Sequence, residues 1–127
     1  MGKVSTYKDL IVWQKAMEVA EDLYPIVKKL PREETYALGD QMRRAAVSVP
    51  SNIAEGFGRN SKKEYIQFLF IANGSVCELE TQLILCVRFK YLTEQEILPI
   101  INLLDEIKKI IMTITKKLSD NTSTSKF

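Results

Sequence analysis

Between Ser61 and Phe89, Tyr65, Leu69, Ala72, Val76, Leu79, Leu83 and Cys86 follow one another at steps of three and four. Only an α-helix stacks residues at that spacing on one side, so the stretch predicts one long helix with a continuous buried seam. The same spacing recurs three times. Ile97, Ile100, Leu104, Ile107, Ile111, Ile114 and Leu118 form a second seam, and Leu38, Met42, Ala45, Val49 and Ile53 a third. From about Tyr7 to Lys29 two seams lie side by side: Leu10, Trp13, Met17, Ala20, Tyr24 and Val27, then Val12, Ala16, Val19, Leu23, Ile26 and Leu30. Their joint arc is wider than one neighbour covers, so this helix is either central in its bundle or also buried against another subunit. No strand-like alternation competes, and the chain reads as all-α.

Breaks between the seams set the connections. Leu30-Pro31 ends the first helix, because a residue before proline avoids the helical region. Pro31–Thr35 makes a short link, and short links imply antiparallel neighbours. Pro50 falls inside the second pattern and predicts either a kink, with Ser48 or Ser51 satisfying the freed backbone, or two shorter helices. Gly56-Phe57-Gly58-Arg59-Asn60 reads as a stop and turn. Ser61–Glu64 and Thr93–Glu96 are capping boxes, in which the first hydroxyl and the fourth residue's carboxylate cap each other's backbone amides. Pro99 predicts an irregular start to the fourth helix, and Gly74 a close approach of another backbone. From Asp120 the pattern ends in an expected tail, 120–127. The expected architecture is a single domain over 1–127, an antiparallel up-down-up-down four-helix bundle.

Composition narrows the chemistry. The 127 residues contain no histidine, which removes the commonest general base and transition-metal ligand. Glu78 and Glu80 stand two apart and point to different sides of a helix, so they form no acid–base dyad within one chain. Gly56-Phe57-Gly58 follows a helix and lacks the remaining glycine spacing of a phosphate loop. Cys77 and Cys86 lie on roughly opposite helix faces and are expected as buried free thiols. The expectation is a protein that is not an enzyme, with no metal and no cofactor. No run reaches the roughly 18 apolar residues of a membrane span, and the N-terminus lacks a signal-peptide core, so a cytoplasmic, membrane-free protein is expected.

Charge is segregated. Residues 41–63 carry five cations against one acid, as do residues 107–127, whereas 78–106 carries six acids against two cations. Arg43, Arg44, Arg59, Lys62 and Lys63 are the candidate phosphate-binding group, since guanidinium forks and ammonium groups track a nucleic-acid backbone. Tyr7, Phe57 and Tyr65 are candidate stacking faces. An alternative stands beside this: Asp40 precedes Arg44 by four residues in the favourable order for a helical ion pair. If the second and third helices pair around Gly58, Arg44 lies level with Asn73 and Gly74, one turn from Glu78. Asp40, Glu78 and Glu80 are therefore candidate partners of Arg43 or Arg44, within the chain or between subunits.

Several motifs occur together in one order: Leu10-Ile11-Val12-Trp13-Gln14-Lys15-Ala16, then Arg43-Arg44-Ala45-Ala46-Val47-Ser48-Val49-Pro50-Ser51-Asn52-Ile53-Ala54-Glu55-Gly56, then Gly58-Arg59, Ser61, Lys62 and Glu64, and Glu78-Leu79-Glu80-Thr81-Gln82-Leu83. From about Tyr7 to about Tyr91 the chain resembles the four-helix-bundle family encoded in bacterial 23S rRNA intervening sequences. It is also similar to the accessory variability determinant proteins of diversity-generating retroelements. The resemblance implies a closed homo-oligomeric ring, commonly a pentamer, and an accessory role with suggested nucleic-acid binding to structured RNA or DNA. In a retroelement setting it implies a reverse transcriptase as partner. Ring closure would gather one modest basic group per subunit into a strong field.

Overall fold

The computed structural model describes residues 3–124. Four helices carry the fold: α1 (Ile11–Val27), α2 (Leu38–Phe57), α3 (Lys62–Arg88) and α4 (Glu94–Thr124). Single 3-10 turns at Tyr7–Asp9 and Arg32–Glu34 precede α1 and α2, and there is no strand among the described residues. Helix α1 packs on α2 and α4, and α3 packs on the same two.

The four seams converge on one core. Leu69, Ala72, Val76, Leu79, Leu83 and Cys86 of α3 are fully buried, as are Leu104, Ile107 and Ile111 of α4 and Met42 and Ile53 of α2. On α1 the two seams part company. Val12, Ala16, Val19, Leu23, Ile26 and Leu30 enter the core, while Met17 and Tyr24 of the other seam are exposed.

Contacts fix the register. Lys15 reaches Glu106 and Lys29 reaches Glu96. Met42 lies against Cys86, Ser48 shares a 2.8 Å hydrogen bond with Ser75, and the missing side chain of Gly56 would fall on Phe68. Arg44, between Met42 and Ser48, is thus level with the α3 stretch between Ser75 and Cys86. The expected match with Asn73 and Gly74 is corrected: the Ser48–Ser75 and Gly56–Phe68 contacts centre the pairing of the two helices near residue 62, not on Gly58.

Local chemistry departs from expectation at several places. The first helix does not begin at Tyr7. Asp9 accepts the amides of Ser5 and Thr6 at 2.9 and 3.1 Å and closes a capped 3-10 turn, and Leu10 is extended before α1 starts. Helix α2 runs unbroken through the buried Pro50, which excludes two shorter helices. The Ser48 hydroxyl faces Ser75 and the Asn52 amide, which also donates to the Ser48 carbonyl. At Ser61 the hydroxyl accepts from the Glu64 amide, but the Glu64 carboxylate faces Arg59 at 3.8 Å. The second capping box is complete: Thr93 and Glu96 exchange bonds of 2.8 and 3.1 Å. Pro99 sits inside α4, which is helical on both sides of it, so the expected irregular start is not seen. Gly74 meets nothing within 4 Å, so within one chain it admits no neighbour. Of the expected tail, 120–124 continues α4, since a nucleated helix propagates cheaply even through weak formers, and 125–127 lies outside the described residues.

Helix α3 ends without glycine. Lys90 takes a left-handed φ of 67°, and the amides of Tyr91 and Leu92 turn back onto the Cys86 carbonyl at 2.8 and 3.2 Å.

Candidate nucleic-acid interface

The five basic residues singled out from the sequence occupy two places. Arg43 and Arg44 sit early in α2, whereas Arg59, Lys62 and Lys63 sit at the turn into α3. At 1.5 Å per residue, about 20 Å of helix separates the two groups, so they do not form one patch.

Within the first group the roles divide. The Arg43 guanidinium lies 3.0 Å from Asp40, so the pair expected between Asp40 and Arg44 forms one residue earlier. Spacings of three and four both bring side chains together on a helix, and Arg43 is the one turned inward, beside Gly39. Arg44 is exposed and has no ion-pair partner among the described residues. Neither arginine meets Glu78 or Glu80 within the chain, which corrects that expectation. Glu80 instead binds Lys108 of α4 at 2.7 Å, and this carboxylate raises the lysine's pKa. Exposed Glu78 receives only the Gln82 amide, at 3.4 Å.

At the α2–α3 turn, Arg59 is held by Glu55 at 2.9 Å and stacks over Phe68, 4.9 Å from the ring centre. Burial lowers the pKa of Lys62, while Lys63 is exposed. Phe57 and Tyr65 pack edge to face at 5.9 Å, and Tyr7 does the same with Trp13 at 5.4 Å. These rings are committed to one another rather than open as stacking platforms.

Three cations were missed. Lys109, Lys116 and Lys117 are exposed on α4. Tyr7 and Trp13 share a groove with Pro50 and Ala54, Gly56 abuts Phe68, and Lys15 reaches Glu106. Past Glu106, α4 therefore runs on toward the end where α1 begins and α2 turns into α3. The signal was the basic run of 107–127, visible in the sequence but not connected to Arg59, Lys62 and Lys63.

The thiols differ: Cys86 is buried and Cys77, against expectation, is exposed. Burial and the nearby Glu34 carboxylate push the Cys86 pKa up to about 11, so that thiol is inert near neutrality. No three His, Cys, Asp or Glu side chains gather as a metal site among the described residues.

A further feature is the outer side of α3. Phe70, Ile71, Ile84 and Leu85 are 54%, 50%, 43% and 36% exposed, with exposed Gly74, Cys77 and Thr81 between them. By length and composition α3 is apolar enough to cross a membrane, with only 33% of its most apolar window buried inside the chain. Counting unbroken apolar runs overlooked this, because Asn73, Gly74, Ser75 and Glu78 interrupt the run without making the helix polar. Its inner seam nevertheless lies at the centre of the core shared with the other helices.

The molecule is thus a small all-helical protein whose four helices share one core. Its five candidate basic residues fall in two separate places, early in α2 and at the turn into α3. Residues 8–113 match the 23S rRNA-intervening sequence protein family, and the chain belongs to that family. A crystal structure of a protein of unknown function from the S23 ribosomal protein family of Bacteroides thetaiotaomicron is similar. It is 29% identical with a TM-score of 0.77, over 84% of this chain and 99% of that one. No functionally curated protein matches the chain.

Proposed function

We propose that this chain is a cytoplasmic, non-catalytic accessory protein: an antiparallel up-down-up-down bundle that assembles into a homo-oligomeric ring, a pentamer by family resemblance, and binds the backbone of structured RNA or DNA. The observation that carries the reading is the set of exposed cations that the two basic runs of the sequence supply jointly, Lys63 at the start of α3 with Lys116 and Lys117 on α4. That part of α4 runs past the Lys108–Glu80 and Lys15–Glu106 pairs toward the end where α3 starts. Arg59 and Lys62 adjoin Lys63, while Lys109 lies farther along α4, about level with Glu80 of α3. Arg43 is a weaker contributor, because Asp40 already neutralises it. Repetition around a ring turns a modest charge per chain into a field that attracts phosphate. In a retroelement setting, a reverse transcriptase is the matching partner.

Fluorescence anisotropy against structured RNA and duplex DNA across a salt series tests this. Log affinity should fall by roughly 0.9 per neutralised duplex phosphate for each unit of log salt. The triple variant Lys63→Glu/Lys116→Glu/Lys117→Glu should abolish binding while leaving the assembly intact. Flat titrations of the intact oligomer at low salt would overturn the reading. They would favour the second one, a protein-interaction scaffold, which the internal pairing of Arg43 and Arg59 with Asp40 and Glu55 supports.

A further inference from the structure

The middle of helix α3 carries large apolar side chains on its outer side as well as on its inner one, and an apolar helix surface is stable when it is covered. Its neighbours in the chain cover one side only. The uncovered ridge runs Phe70, Ile71, Gly74, Cys77, Thr81, Ile84 and Leu85, with Glu78 as the one acid upon it. A second apolar surface lies elsewhere on the molecule, in the open groove between α1 and α2. Trp13, Met17 and Ala20 form one wall of this groove and Val47, Ser51 and Ala54 the other, around about 370 Å³.

Each surface carries a charge without an ion-pair partner among the described residues, and the two are opposite. The acids Glu18, Glu21 and Asp22 stand on the far rim of α1, beyond Trp13 and Met17. Arg44 stands on the outer ridge of α2, one turn before Val47 and two before Ser51, with no ion-pair partner among the described residues. Glu78 stands on the α3 ridge with only a long bond from the Gln82 amide. The spacing also agrees. Seven residues separate Arg44 from Ser51, and seven separate Glu78 from both Ile71 and Leu85. An α3 ridge placed in the groove with Glu78 on Arg44 therefore brings a large aliphatic side chain level with the apolar wall. Gly74 and Thr81, small and flanking Glu78, let the two helices approach.

We propose that the α3 ridge of one copy seats in the α1–α2 groove of the next, with Glu78 of one chain paired to Arg44 of the other. Helices α1 and α3 each pack on α2 and α4 and so sit diagonally across the bundle. The groove and the ridge face different ways, and one neighbour cannot fill both. The contact is therefore heterologous, and repeating it generates a closed ring or an open filament rather than a two-fold dimer. This rests on the homo-oligomer reading given above and assigns its contact. It also gives Arg44 a structural task, distinct from the phosphate-binding end.

Light scattering on purified full-length protein tests the pairing. Wild type should run at a multiple of the single-chain mass. Arg44→Glu and Glu78→Arg should each drop to one chain while keeping wild-type helical content, since both side chains are exposed and unpaired within the fold. The double variant Arg44→Glu/Glu78→Arg should recover the wild-type mass. An oligomeric wild type whose single variants keep their mass, or whose double variant stays dissociated, overturns this contact and leaves the oligomer reading standing. A wild type that runs as a single chain overturns both. As an independent readout, oxidising Val47→Cys protein should link the new thiol to Cys77 of a neighbour and build a ladder of covalent species. Dimers joined only through Cys77 to Cys77 would identify a two-fold contact and sink the proposal.

Discussion

Helices α3 and α4 are the two longest in the chain, and they have the same inner side and opposite outer sides. Each lays an unbroken seam of fully buried aliphatic residues into the core. Outward, α4 presents Lys109, Lys116 and Lys117 with Leu98 and Met112 as isolated apolar residues, whereas α3 presents Phe70, Ile71, Ile84 and Leu85 along one ridge. Folding of one chain requires only the inner seam of either helix. The outer side of α3 therefore reports on a requirement beyond folding, and that of α4 on solvation and charge.

The largest expected effect separates the two sides of α3. Leu83→Ala removes a fully buried side chain from the seam and should cost about 3 kcal/mol in urea unfolding, from lost burial plus the cavity left behind. Ile84→Ala, the next residue but on the outer side, should leave single-chain stability within about 0.5 kcal/mol and act on assembly mass alone. Equal losses in both variants, under conditions where the protein is a single chain, would break the contrast.

Two glycines sharpen it with opposite signs. A Cβ on Gly56 would lie 2.6 Å from that of Phe68, on the inner side of α3 where backbones cannot yield. Gly56→Ala should cost about 2 kcal/mol as overpacking. A Cβ on Gly74 meets nothing, and there Gly74→Ala should add up to about 1 kcal/mol to the single chain through helix propensity. The same substitution should weaken the oligomer if another helix lies against that face. A Gly74→Ala protein that gains stability with unchanged assembly mass would place the subunit contact away from the middle of the ridge.

The seams were legible because helical period is a property of the sequence alone, and burial followed it residue for residue from Leu69 to Cys86. Register was not. It depends on the turn at 58–61, and displacing the turn's centre by a few residues moved Arg44 away from Asn73 and Gly74. Ion-pair choice was not legible either: Asp40 is within reach of both Arg43 and Arg44, and only the side each arginine faces decides between them. The α3 ridge was written in the sequence as plainly as the seam, but it is interleaved with the seam and shares its spacing. The wide arc of α1 predicted a central place in the bundle or burial against another subunit. Within the chain Met17 and Tyr24 stay exposed, and Trp13, Met17 and Ala20 line an open groove.

The smallest effect concerns the charged side of the contrast. Glu96 at the start of α4 accepts from Lys29 at 2.8 Å and from the Thr93 amide at 2.8 Å. The Lys29 ammonium foremost, then the amide, holds its carboxyl below the ordinary value of 4.5. A depressed carboxylate contributes stability that is fully present above the unfolded value and is lost as pH falls through the lower folded one. Glu96→Gln should therefore be slightly less stable than wild type near neutrality, and the difference should close as the pH drops below 4.5. Added salt should narrow it as well, because the pair with Lys29 is exposed to solvent. Ile84→Ala, carrying no titrating group, should show neither dependence as a single chain. A gap between Glu96→Gln and wild type that persists unchanged into acid would mean that the start of α4 is held by helix packing and not by its charges. In that case α4 would differ from α3 only in what its outer side leaves uncovered.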